Sequence, residues 1–401
     1  MARAMRVFAV LLLSMLFISP LLSVPARSQQ NVIHVLNYSE YIDYRVLDLF
    51  EKETGIHVVY DEYESAEEAW PKLKAGGQGY DLIIIAHTHV AVAREQGLLH
   101  KLDKDRIPNL ANLDPRIANH PADPNQEYAV PYMWGTTGFA YNKECGGSPP
   151  RTWKEFFDPE VLKQYKGRVS LLSEFSDVVE PAMIALGLDP SDKANWNKET
   201  ADSIVNLVLS VKPYIVGFYG ASQYMPELAA GRLCLAQAWN GDILVVQENN
   251  SNIEYVVPED GATFWVDYMV IPRDAGNVAG AEEFINFLLR PDIAAMNVKA
   301  VWYASSVKKS LLQEVAEENH DDELEEILEN PTVYPPNNAK LYPSPVLTGN
   351  MLNLLEDIRL KVLTGETSGG ESGGGLSPAY IAALASAVIV VLSVSLYVRR
   401  R

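Results

Sequence analysis

Residues 80–86 read YDLIIIA. From Leu82 to Ala86 the run has no polar break, so a strand here is apolar on both faces, as strands inside a covered parallel sheet are. The flanking segments extend this into a fold. Upstream, VIHVLNY (32–38) alternates as a strand does, and YRVLDLFEKETG (44–55) has helical spacing. In that helix Val46, Leu47 and Phe50 form one stripe and Gly55 provides the stop. IHVVYDEY (56–63) is a second strand. AEEAWPKLKAG (66–76) is a helix in which Pro71 sets a kink or a boundary, and VAVAREQGLL (90–99) is again helical. A β-α-β-α-β rhythm implies a mainly parallel sheet with right-handed crossovers. Ligands in such sheets sit beyond the C-terminal strand ends. Those ends carry NYSEY (37–41) and AHTH (86–89).

Past Tyr128 the pattern changes. AVPYMWGTTGFAYN (129–142) reads as a strand crossing between two lobes. GRVSLLSE (167–174), LCLAQAWNGD (233–242) and IEYVVPEDG (253–261) supply further strands with helices between. FWVDYMVIP (264–272) returns as a strand, and AGAEEFINFLLRPDIAAMNVKA (279–300) reads as one amphipathic helix. No internal repeat, phosphate-cradling glycine loop, nucleotide fingerprint or zinc spacing is present. Within FWVDY, Trp265 and Asp267 share a face because side chains two apart on a strand do. A carboxylate in such an apolar strand is costly unless something pairs with it.

The ends differ from the middle. Residues 1–28 have a positive start, an apolar run and a small-residue cleavage site, and read as an exported leader. Residues 365–375 are a Gly/Ser-rich linker. Residues 376–398 run without a charge, long enough to span a bilayer, and Arg399 to Arg401 form a cytoplasmic tail. The expectation is an exported chain tethered to the membrane by its C-terminal helix. The ~335 residues between these ends suffice for two lobes with their own cores. The formal charge of −19, from 52 acidic and 33 basic residues, argues against nucleic acid and for cationic ligands. The two cysteines, Cys145 and Cys234, suit an oxidising compartment, with one disulfide or two buried thiols both open.

In order, NYSEYI, FEKETGIHVVYDEYES, YDLIII, VPYMWGTTGFAYN, SQYMPELAAGRLCLAQAWNGD, FWVDYMVIP, FINFLLRPD, VWYASS and VYPP resemble the periplasmic spermidine- and putrescine-binding proteins of ABC importers. The likeness runs from about Val32 to Gly365. It implies an α/β, two-lobed type II periplasmic-binding-protein fold with a hinge, to which the C-terminal transmembrane helix is added. Lobe 1 is expected over 29–138 and 264–303, and lobe 2 over 139–263 and 304–364. The implied partners are a polyamine and the permease subunits of an ABC transporter, with no cofactor or metal.

The resemblance also assigns a pocket. Tyr38 stands where an aromatic packs on methylenes, Ser39 and Tyr41 offer oxygens to an amine, and Glu40 is an acid at the same turn. Trp239 and Asp242 match a tryptophan and the aspartate of putrescine binders. Trp265 and Asp267 match an aromatic–acid pair that recognises an ammonium, and Tyr303 matches a pocket tyrosine. Asp177 falls on an acid of both ligand classes and Glu174 on one of spermidine binders. Ser344 lies near the final cleft segment. Ordinary core packing is the competing reading of each, with Ser39 or Asp43 as a helix N-cap.

The AHTH stretch departs from the family. The usual serine is missing, Thr88 follows His87, and His89 replaces an aromatic wall. Read as an extended segment, His87 and His89 share a face and suggest a metal pair without a third ligand. A neutral His89 accepting an amine hydrogen bond or a plain turn are the other readings. Asp242 points to putrescine, whereas Glu174, Glu40 and Trp265 point to spermidine. Four candidate carboxylates exceed the need of a two-nitrogen ligand, which tilts the reading to spermidine. The alternatives are a receptor for another cation such as a basic amino acid, and an enzyme using a cleft cysteine as nucleophile.

Overall fold

The computed structural model describes residues 31–336 and 339–366. Those residues hold eleven strands: β1 Val32–Tyr38, β2 His57–Tyr63, β3 Leu82–Ala86, β4 Ala129–Asn142, β5 Val169–Leu172, β6 Gly217–Tyr219, β7 Leu235–Trp239, β8 Ile253–Val256, β9 Ala262–Val270, β10 Ala304–Ser305 and β11 Leu341–Pro343. The hydrogen-bonded order is β2-β1-β3-β9-β4-β7-β5-β6, with β8 and β10 on β4 and β11 on β9. On one side β1 lies parallel to β2 and β3; on the other β5 lies parallel to β6 and β7.

Two long strands join these sets. The first half of β4 pairs antiparallel with β9, from Ala129↔Val270 to Thr137↔Thr263, and its second half pairs with β7, from Thr137↔Trp239 to Tyr141↔Leu235. β9 also pairs with β3, from Ile83↔Val270 to Ala86↔Asp267. Every residue of β4 is buried, Thr136 and Thr137 included. The run Leu82–Ala86 is likewise buried on both faces. Asp81 just ahead of it is spent locally: its carboxylate accepts from the His34 N–H at 2.9 Å and the Asn277 N–H at 2.7 Å.

Two expected elements are redrawn. The single helix over 279–300 is two, Val278–Leu288 and Pro291–Val301. Proline disfavours helical geometry at Arg290 and has no N–H to continue the ladder, but fits a first helical position. The segment 86–89 is not extended: a helix starts at His87 and runs to Glu95. Asp43 is the N-cap of helix Tyr44–Thr54, accepting from the Arg45 N–H, and Gly55 closes that helix at φ 72°.

One part of the expected fold is corrected. Among the described residues no helix is long and apolar enough to cross a membrane. The span read at 376–398 lies outside the described residues, as do the leader, residues 367–375 and the tail. The described architecture is two-lobed α/β without a membrane-crossing helix. Cys145 and Cys234 are joined as a disulfide that links the segment after β4 to the start of β7. Helices Lys309–Asn319 and Asp322–Glu329 pack on Pro291–Val301, and the last described helix, Gly349–Thr364, packs on Lys198–Val211.

Candidate functional site

A cavity lies where β1, β3 and β7 end beside the middle of β9, against helix Phe175–Ala185. β1 delivers the first wall. Glu40 adopts a left-handed conformation, φ 57°, which turns the chain so that Tyr38 and Tyr41 both face inward. Glu40 itself is exposed and does not line the cavity. Tyr38 packs on Tyr63 at 4.4 Å between ring centres, and Tyr41 meets Tyr303 edge-on at 5.2 Å.

β9 supplies Trp265 and Asp267. Trp265 donates its indole N–H to Thr137 Oγ1 at 3.1 Å. Asp267 accepts from the Tyr41 hydroxyl at 2.9 Å. Burial pushes this carboxyl up to about 7, with the hydrogen bond opposing and Asp177 adding to the rise. No lysine or arginine is among the residues lining the cavity. Among the described residues, the acid on the strand therefore has a phenol rather than a cation as its partner.

β7 ends at Trp239, and Asp242 sits in the first turn of the following helix, Asn240–Asn249. Gly241 permits this approach: a Cβ there would lie 2.7 Å from the Val301 carbonyl and 2.8 Å from the Tyr303 ring. Asp242 accepts from the Tyr303 hydroxyl at 2.5 Å and from the Tyr224 hydroxyl. Burial raises it to about 6 against those two bonds.

Helix Phe175–Ala185 presents the remaining acids. Residues three apart on a helix share a face, so Glu174, Asp177 and Glu180 all line the cavity. Asp177 accepts from the Trp239 indole at 3.1 Å and from the Thr137 hydroxyl, and burial lifts it to about 6. Glu180 accepts from the Ser344 hydroxyl through one oxygen, while the other has no hydrogen-bond partner among the described residues. Burial, then Asp177, push it well above the carboxylate range. Glu174 has both oxygens engaged, with the Ala66 N–H at 2.6 Å and the Ser176 hydroxyl at 3.1 Å.

Ten of the thirteen expected residues line this one cavity; Glu40, Thr88 and His89 do not. The helical start explains the last two. On a helix, residues two apart diverge, so His87 faces the cavity while His89 packs on the Trp70 ring at 5.1 Å. Thr88 Oγ1 pairs with His89 Nδ1 at 3.0 Å. Burial lowers both imidazoles, His89 to about 4, so both are neutral. Among the described residues no group of three or more His, Cys, Asp or Glu could hold a metal ion. Sequence reasoning missed Glu180 and His87 and left Ser344 marginal. The three-residue step from Asp177 was the available signal for Glu180; His87 was read only as half of a metal pair with His89, and its place at the C-terminal end of β3 was the signal for a cavity role.

The model of the bacterial extracellular solute-binding protein family matches residues 46–324. The putrescine-binding periplasmic protein PotF of Escherichia coli strain K12 is 35% identical over 335 residues, covering 79% of this chain and 86% of that protein. The putrescine-binding periplasmic protein SpuD of Pseudomonas aeruginosa strain UCBPP-PA14 is 34% identical over 306 residues, 73% of this chain and 82% of its own. Among solved structures, a putative spermidine/putrescine ABC transporter protein from Listeria monocytogenes superposes with a TM-score of 0.74 at 30% identity, over 84% of this chain and 100% of that one.

Proposed function

The chain belongs to the bacterial extracellular solute-binding proteins, and we propose that its cavity captures a polyamine, putrescine or spermidine, for uptake by an ABC importer. It is a binding protein and not an enzyme; its two cysteines are tied to each other, so neither is a thiol nucleophile. One observation carries the ligand reading. Five carboxylates and five large aromatic rings line a single cavity that no lysine or arginine enters.

A polyamine alternates protonated nitrogens with methylenes, so it needs anions at intervals and flat apolar walls between them. An ammonium and a carboxylate near 4 Å gain up to ~4 kcal/mol gross at an effective dielectric of about 20. Desolvation cancels much of that. Aromatic faces add ~0.5–2 kcal/mol each by cation–π attraction. Micromolar affinity requires ~8 kcal/mol net, so three or four good contacts suffice. In this reading Asp267 takes one ammonium against Trp265, and Asp177, Glu180 and Asp242 take the others, with Tyr38 and Trp239 along the methylenes. The named ligands of the relatives support the same class.

The lobes are proposed at 29–138 with 264–303 and at 139–263 with 304–364, except that residues 304–329 go with the first, since β10 pairs with the first half of β4 and helices Lys309–Asn319 and Asp322–Glu329 pack on Pro291–Val301. The hinge is assigned to β4 and β9, because β9 pairs with the first parallel set through β3, β4 pairs with the second through β7, and the two pair with each other. The test is a thermal-shift panel of putrescine, spermidine, arginine and a neutral diol of similar length. A ligand that binds only the folded form raises the melting temperature. The polyamines raise it and the diol does not; a shift with arginine alone overturns the polyamine assignment.

A further inference from the structure

Two helices beside the cavity aim their first turns at each other. Helix Ala66–Lys74 joins β2 to β3 and packs on both, while helix Phe175–Ala185 follows β5 and packs on it. A helix start leaves N–H groups that need an acceptor. Neither Ser65 nor Glu174, at the two N-cap positions, caps its own helix through its side chain. Each helix is capped by the other. Glu174 Oε2 accepts from the Ala66 N–H at 2.6 Å, and Glu67 Oε1 accepts from the Phe175 N–H at 3.1 Å.

Neighbouring contacts run the same way. The Ser173 hydroxyl donates to the Glu64 carbonyl at 3.2 Å, and the Ser222 hydroxyl donates to Glu64 Oε1 at 2.5 Å. Gly220 makes room for them, since a Cβ there would sit 1.9 Å from Glu64 Oε2.

We propose that this exchange of capping carboxylates is a closing latch: Glu67 and Glu174 hold the two sides of the cleft together and set how slowly a bound ligand leaves. The proposal rests on the reading of the cavity as a ligand site between moving lobes. Each bond joins elements from the two parallel-strand sets, so it exists only when they are together. In an open cleft water serves these N–H groups. In the closed one a carboxyl oxygen of the opposite helix does. The contribution therefore falls on the closed state and on the dissociation rate. Glu67 lies outside the cavity lining and acts through position alone. Glu174 lines the cavity, yet both its oxygens are already engaged, which suits a latch better than an ammonium ligand.

Stopped-flow kinetics with spermidine and putrescine test this on the whole protein. Glu67→Ala is expected to raise the dissociation rate about tenfold, the scale of one lost cap, with the association rate little changed. Glu68→Ala, an exposed neighbour on the same helix, leaves both rates unchanged. Glu67→Gln keeps an oxygen for the Phe175 N–H and restores most of the slow release. Ala66→Pro removes the opposite donor at a first helical position, where proline is accommodated. Ser65 before it is extended, φ −154° and ψ 153°, as a residue preceding proline must be. This second variant is expected to speed release as well and keeps the test open should Glu67→Ala not fold. Release as slow as wild type in a folded Glu67→Ala or Ala66→Pro protein overturns the latch. If the wild type binds neither amine, the ligand reading fails separately. The latch is then read from unliganded protein by small-angle scattering: a larger radius of gyration for either variant supports it, and equal radii overturn it.

Discussion

The Tyr41 hydroxyl donates to Asp267 at 2.9 Å, the one hydrogen bond that the described residues give this carboxylate. A phenol satisfies an acceptor but does not neutralise a charge. The carboxyl is accordingly pushed up to about 7 by burial. Among the described residues lining the cavity, no lysine or arginine reaches it.

Asp267→Asn keeps a hydrogen-bond acceptor for Tyr41 and removes the charge. Polyamine affinity is expected to fall at least about tenfold, which is ~1.4 kcal/mol. The unliganded protein is expected to melt higher, by roughly 2–4 °C for each 1 kcal/mol of relieved burial cost. Calorimetry and thermal melts on the same preparation check the two together. An unchanged dissociation constant removes Asp267 from the ligand site.

The pH response has opposite signs for stability and for binding. Burial raises Asp267 to about 7 and Asp177 and Asp242 to about 6, whereas unfolded aspartates titrate near ~4. The folded chain thus keeps protons that the unfolded chain has released. The stability these groups contribute is full below about pH 4 and is lost as pH rises through about 6 to 7. These aspartates favour the unliganded fold more at about pH 5.5 than at about pH 8, while the buried neutral His87, His89 and His120 act in the opposite direction, so the aspartate contribution is read as the difference between wild type and Asp267→Asn at the two pH values. A bound amine needs the ionised acids, so affinity is expected to weaken on the same acidification. Melts with and without spermidine at both pH values check this; an amine-induced shift that grows on acidification contradicts it.

Tyr303→Phe leaves Asp242 with the Tyr224 hydroxyl as its remaining tyrosine donor. Removing one partner of a buried acceptor costs ~1–3 kcal/mol. A urea titration should show that loss, with a weaker dissociation constant alongside. Full stability would mean that the Tyr303 bond is replaced by solvent.

The disulfide closes a sequence separation of 89 residues, and neither cysteine lines the cavity. The double Ser substitution at Cys145 and Cys234 should cost ~2–4 kcal/mol of stability. Ligand affinity should stay within about twofold. A large affinity change would tie the disulfide to the cleft.

Most of the architecture was legible because the patterns are strong. LIIIA could only be a doubly covered strand, and β1, β4, β7 and β9 fell where alternation and aromatic content put them. The misread segments have local causes. Apolar periodicity runs through Pro291, so only the proline's backbone chemistry marks the break into two helices. AHTH carries no helix-start signal: Ala86 is the N-cap and makes no side-chain cap bond. An extended reading put both histidines on one face, and the helix parts them. In the site, Glu174, Asp177 and Asp267 were expected from the resemblance and line the cavity, but Glu180 needed helical phase, and the bond from Glu174 to the opposite helix start was not legible. A partner more than a hundred residues away in sequence, such as Ala66 for Glu174, leaves no trace in spacing.

The polyamine assignment is decided by isothermal titration calorimetry of the purified protein with spermidine and with putrescine near neutral pH. Saturable one-to-one binding of at least one of them is expected at micromolar concentration or tighter, ~8 kcal/mol or more. No saturable heat from either amine at millimolar concentration would contradict it.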